Sequence, residues 1–90
     1  VAVLGPINVQ ALYNQGGADL FAAFALRNVN TGDTLDLSVT DVSPAFQVVR
    51  KAVVFSVGAN LAAVANITGT VVTMPAGLAQ AGGYLVVFGC

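Results

Sequence analysis

Residues 52–65 read AVVFSVGANLAAVA, and only Ser56, Gly58 and Asn60 interrupt the aliphatic run. A membrane span, a buried core and a surface that meets another protein would each produce such a run, and choosing among them decides the fold. A spanning helix needs about 20 predominantly apolar residues, and a run of about 10–14 is more often a buried segment. Arg50 and Lys51 stand directly upstream, Asn66 and Thr68 lie shortly downstream, and Gly58-Ala59-Asn60 reads as a turn in the middle. The stretch therefore predicts two strands, AVVFSV and LAAVA, joined by that turn near the centre of a sheet, with no membrane insertion. From Ala52 both parities are apolar, as in a strand covered on both faces. Part of that surface is expected to lie against another subunit.

Outward from this stretch the period is that of strands. In TLDLSVTDV, Leu35, Leu37 and Val39 alternate with Asp36, Ser38 and Thr40, the pattern of a half-buried strand. The preceding Asn30-Thr31-Gly32-Asp33 is a turn signal, and before it Leu20, Ala22, Phe24 and Leu26 share one parity, so a hairpin through that turn is expected. In INVQALYN, Ile7, Val9, Ala11 and Tyr13 share a parity until Gln15-Gly16-Gly17. In FQVVRKAVVFSV, Phe46, Val48 and Arg50 fall on one side and Gln47, Val49 and Lys51 on the other, after a break at Ser43-Pro44. LAAVANIT carries helix-favouring alanines, but Val64, Ile67 and Thr68 favour extension. TVVTM at 70–74 and YLVVFG at 84–89 are bounded by Pro75-Ala76-Gly77 and Gly82-Gly83. Seven or eight short strands with regular turn signals and no long helical pattern predict an all-β domain, a small antiparallel β-sandwich or jelly-roll-like barrel. Residues 1–5 read as an N-terminal arm and 6–90 as a single sandwich domain. VAVLGPINVQ does not read as a signal peptide, having no basic region and breaking at Gly5-Pro6.

Composition bears on what such a domain does. Of 90 residues, 57% are apolar and 8% charged, with a net charge of −1, against about 25% charged in an average soluble domain. A domain this small buries only about 60–65% of its extended-chain surface, so there is more apolar material than one core can hide. Permanent interfaces shed charge, and the composition predicts a chain that assembles with copies of itself.

Chemistry has little to draw on. Histidine and glutamate are absent, and the four acids are Asp19, Asp33, Asp36 and Asp41. None makes a recognisable pair with a nucleophile, so the chain does not read as an enzyme and no cofactor is expected. Asp33, Asp36 and Asp41 crowd one hairpin, but turn carboxylates partnered by Arg27, Arg50 or Lys51 are favoured over a metal site. Glycines at 16–17, 58, 77 and 82–83 lack phosphate-loop spacing, and three basic residues do not make a nucleic-acid surface. Asn66-Ile67-Thr68 matches the N-glycosylation triplet, read here as coincidence. The single cysteine, Cys90, permits no internal disulfide. It reads as a small residue at a frayed end, with an intermolecular disulfide as the alternative.

Two segments look suited to a neighbouring subunit. VAVL at 1–4 is apolar on both parities and could add to a neighbour's sheet edge or form an edge strand of its own sheet. PAGLAQAGG at 75–83 is an uncharged loop of small residues around Leu78, either a contact between molecules or a buried Ω-type loop. The expected contact residues are Val1, Val3, Leu4, Ile7, Leu78 and Tyr84.

The C-terminal segment TVVTMPAGLAQAGGYLVVFGC, preceded by a strand rich in Ala and Val, resembles the small β-rich decoration or cement proteins of tailed-phage capsids, in which a final strand comes after a Pro/Gly/Ala-rich turn. The resemblance covers about the last 40 residues and rests on strand-and-turn style. It implies a β-sandwich or barrel that oligomerises, as a trimer for example, and clamps a major coat protein on the capsid exterior without catalysis. The same residues fit an extracellular filament in which the arm inserts into the next subunit, with Cys90 as a cross-link. A small barrel around an apolar ligand is a third reading, disfavoured because the many Ala and Val suit a filled interior.

Overall fold

The computed structural model describes residues 3–5, 7–15, 20–38, 46–56 and 61–90. Their strands are β1 (Val9–Gln15), β2 (Leu20–Val29), β3 (Thr34–Asp36), β4 (Val49–Ser56), β5 (Leu61–Val64), β6 (Asn66–Thr68), β7 (Val71–Thr73) and β8 (Ala81–Gly89). They form two antiparallel sheets, one of five strands in the order β1-β2-β8-β4-β5 and one of three in the order β3-β7-β6. The domain is a small β-sandwich.

Alternation in the sequence sets the inner faces. From the five-stranded sheet Val9, Ala22, Phe24, Leu26, Ala52, Val54, Leu85 and Val87 turn inward, and from the smaller sheet and its flanks Leu35, Leu37, Val72 and Met74 meet them. Phe24, Phe46 and Leu85 are among the largest fully buried side chains. Burial of each contributes roughly 1.5–3 kcal/mol. Packing is close enough that β8 needs glycine at two places. A Cβ on Gly83 would collide with the Phe55 carbonyl oxygen and lie 2.9 Å from Ser56 Cα, and one on Gly89 would collide with the Val48 carbonyl.

The hairpin expected through Asn30-Thr31-Gly32-Asp33 does not form. β2 belongs to the large sheet and β3 to the small one, so the turn carries the chain across the sandwich. It is held instead by the 74–80 connection. Gly32 N–H donates to the Met74 carbonyl at 3.2 Å and Met74 N–H to the Asp33 carbonyl at 2.8 Å. Thr31 Oγ1 both donates to the Leu78 carbonyl at 3.1 Å and accepts from Leu78 N–H at 3.0 Å, and Asn30 Oδ1 accepts from Gln80 N–H at 2.8 Å. Buried Asp33 accepts from Asn30 N–H at 2.9 Å. A hairpin forms at β6–β7, where Gly69 takes the first loop position at φ 63° between Thr68 and Val71, as two-residue loops require.

LAAVANIT is extended throughout, and it changes sheets. β5 pairs with β4, Ala65 is buried with its N–H on the Ala52 carbonyl at 2.9 Å, and β6 pairs with β7. Strands that switch sheets do so at a bend, and buried Ala65 occupies this one. The strand expected through Val42 ends at Asp36, although Leu37 keeps the inward parity. The expected turns at Gly16-Gly17, Ser43-Pro44 and Gly58-Ala59-Asn60 lie outside the described residues.

Candidate interaction surface

The five-stranded sheet has an outer face as well as an inner one. In β2, β4 and β8 the second parity is also apolar: Phe21, Ala23 and Ala25; Val53 and Phe55; Tyr84, Val86 and Phe88. The smaller sheet covers only the inner set. Strand register arranges the outer set in rows across the sheet. One row runs Gln10, Ala25, Tyr84, Phe55, Ala62; the next runs Tyr13, Ala23, Val86, Val53, Val64; a third runs Phe21, Phe88, Lys51. Tyr84, Phe55, Phe88 and Val64 stand out from it at 49%, 42%, 43% and 61% exposure, values that mark large apolar side chains left in solvent rather than covered.

Two bulges shape this face. A register shift between Ala11 and Tyr13 makes Leu12 the extra residue of β1 and sends Tyr13 outward while Val9 stays in the core. The expectation that Val9 and Tyr13 share a face therefore fails, because a bulge reverses side-chain parity beyond it. Tyr13 then packs on Phe21, ring centroids 5.9 Å apart, and Phe21 on Phe88 at 5.0 Å. A second shift, between Val49 and Lys51, separates that pair too, with Val49 inward and Lys51 outward. Lys51 is the one charged residue in the three rows. Arg27 is exposed in the irregular stretch of β2 between Leu26 and Val29, and Arg50 on the bulge of β4.

Of the expected contact residues, Tyr84 lies in the first row. Leu4 and Leu78 are instead 6% exposed and part of the chain's own core. Leu4 N–H donates to the Thr34 carbonyl at 2.7 Å, and Val3 bridges Thr34 in parallel, so residues 3–4 run along β3 as an edge of the small sheet. Leu78 is drawn in by the hydrogen bonds between its loop and Thr31, leaving the 75–80 loop buried at its centre. Val3 and Ile7 are exposed, away from the rows described; Val1 lies outside the described residues. Cys90 is half-buried and not frayed: its N–H donates to the Val48 carbonyl at 2.9 Å, and its carbonyl accepts from Gln47 and Val48 N–H at 2.8 and 3.0 Å.

Asp33 and Asp36 serve local structure. Asp36 Oδ1 accepts from Ser38 N–H at 3.0 Å, Ser38 Oγ at 2.7 Å and Thr70 Oγ1 at 2.9 Å. These bonds, led by the Ser38 amide, hold its carboxyl below the ordinary 3.8 against the opposing effect of desolvation. Asp41 and Asp19 lie outside the described residues, among which no group of three metal-ligating side chains gathers. Asn66 and Thr68 are exposed on the edge strand β6. Among the described residues no helix is long and apolar enough to cross a membrane.

Sequence reasoning named Tyr84 of this face and expected the 52–65 run, with Val53 and Phe55, to be covered in part by another subunit; it passed over Phe21, Val86 and Phe88. The signal of the face was present as two apolar parities in 20–26, 52–55 and 84–88. Comparisons with family models, with curated proteins and with solved structures return no match.

Proposed function

We propose that this chain is a non-enzymatic structural subunit that works by burying a low-charge apolar surface against other subunits, as a decoration or stabilising protein on the exterior of a virion. The observation that carries the reading is the outer face of the five-stranded sheet, three mainly apolar rows in which Lys51 is the one charge and Gln10 lies at the β1 edge. A solitary domain with so few charges has little to hold it apart from its neighbours, and contiguous exposed apolar surface of this kind marks interaction sites. The virion assignment is supported by the resemblance of about the last 40 residues to phage decoration proteins and by the sandwich that it implies. The filament alternative would require Val3 and Leu4 to leave Thr34 and the core before they could serve a neighbour.

The test is the mass of the purified chain by light scattering across a concentration series, with negative-stain images of the same sample. Closed oligomers support the proposal, and long fibres redirect it to the filament. A 9.0 kDa species at every concentration up to millimolar overturns self-association and leaves a monomeric decoration protein or a ligand-binding barrel.

A further inference from the structure

We infer that the outer face of the five-stranded sheet is covered by the same face of a second copy of this chain, the two sheets stacking about a two-fold axis that passes over Val86. This rests on the assembly reading above and names its partner and its contact. Two rows of five residues and one of three, on strands about 4.8 Å apart with about 6.8 Å between rows, make a face of about 420 Å² in projection. Two such faces remove about 850 Å² in projection and about 1,000 Å² once the relief of the side chains is included. That reaches the lower limit for a specific interface.

The face also complements itself. Val86 occupies the middle of the central row on the middle strand, so a two-fold in the plane of contact can run either along the strands or across them. With the axis along the strands, Ala25 comes opposite Phe55 and Phe21 opposite Lys51. With the axis across them, Ala25 comes opposite Phe21 and Phe55 opposite Lys51. In either case Ala25 faces a phenylalanine, as interdigitating layers need, while on β8 the rings meet as aromatic pairs, Tyr84 and Phe88 each on itself with the first axis and on each other with the second. The two lysines never meet each other, and each lies over an aromatic ring that favours a cation. An isologous contact of this type closes as a pair instead of propagating.

Three proteins test it: the wild type, Tyr84→Glu, and Val86→Cys in a Cys90→Ser background. Light scattering should find the wild type as pairs or multiples of pairs, while Tyr84→Glu, with unchanged far-UV circular dichroism, dissociates at least about 100-fold more readily because it would bury an unpaired charge. A bismaleimide spanning about 10 Å, the separation of stacked sheets, should link Val86→Cys into dimers. It should leave Val3→Cys, in the same background, largely monomeric. Should Tyr84→Glu fail to fold, the cross-link decides alone. Oligomers that survive Tyr84→Glu and show no Val86 cross-link overturn this inference while the assembly reading stands, with the face left for a different protein. A monomeric wild type overturns this inference together with the self-association on which it rests.

Discussion

Replacing Leu4 by alanine separates two places for the start of the chain. If residues 3–4 belong to this domain, Leu4→Ala removes a side chain that is 6% exposed, inside a cluster with Leu35 and Val72. Leu→Ala substitutions in cores cost about 2–5 kcal/mol. Leu4 sits at the margin of the sandwich, where the backbone of a short edge segment can settle into the gap, so a loss of about 2–3 kcal/mol is expected. For a domain of this size that is a large part of a total stability of about 5–13 kcal/mol, and it lowers the melting temperature by roughly 10–20 °C. Val3→Ala is the control: Val3 is 81% exposed, and its loss should stay within about 0.5 kcal/mol. Urea unfolding monitored by far-UV circular dichroism measures both, with light scattering on the same samples. Equal, small stability changes in the two variants, accompanied by a drop in mass for Leu4→Ala, would refute the placement and return the segment to a neighbouring subunit.

Three further perturbations probe other contacts. Gly89→Ala must displace the Val48 carbonyl or the Phe46 ring, whose Cδ2 would lie 3.1 Å from the new Cβ; overpacking of this kind costs about 1–3 kcal/mol, measured by denaturant midpoint, and an unchanged midpoint would show that β8 and β4 lie further apart. Thr31→Val removes the two hydroxyl hydrogen bonds to Leu78 and leaves the Thr31 N–H on the Leu78 carbonyl, so amide exchange at Leu78 should accelerate at least about tenfold while β2 and β8 amides keep their protection. For Asp36, the folded carboxyl titrates below its unfolded value of about 3.8, so its contribution is complete above that pH and disappears as pH falls through the folded value. Asp36→Asn should therefore lose less stability than the wild type on acidification below pH 3.8, and parallel acid limbs would count against the Ser38 and Thr70 hydrogen bonds.

The strands themselves were legible because a sandwich inner face imposes period two, and Leu35, Leu37, Val54, Leu85 and Val87 obey it. Alternation cannot carry the register between paired strands. Leu12 and Arg50 are single insertions in ladders, and each reverses the facing of the residues beyond it, placing Tyr13 and Lys51 where parity alone would not. Partner strands were equally hidden. NTGD has the composition of a hairpin turn, yet the groups that hold it come from residues 74–80, more than 40 positions away, and no local signal announces them. The same distance effect reversed Leu78: a loop of small uncharged residues has the composition of a contact surface, and the Thr31 hydroxyl makes it part of the interior.

The two apolar parities of 52–55 show how local pattern and topology divide the information. A strand apolar on both sides predicts cover on both sides, and in a sandwich of two sheets only one side of each sheet is covered from within the domain. Ala52 and Val54 meet the small sheet; Val53 and Phe55 meet none of it. The three-stranded sheet faces the five-stranded one across a single core, so no rearrangement of this fold covers both faces of β4 and β8 at once. Hiding the outer rows takes material from outside the sandwich. A chain with 8% charged residues reaches that condition with few groups to oppose association, and the sequence pattern that suggests a fully buried strand thereby becomes, in this topology, the pattern of an interface.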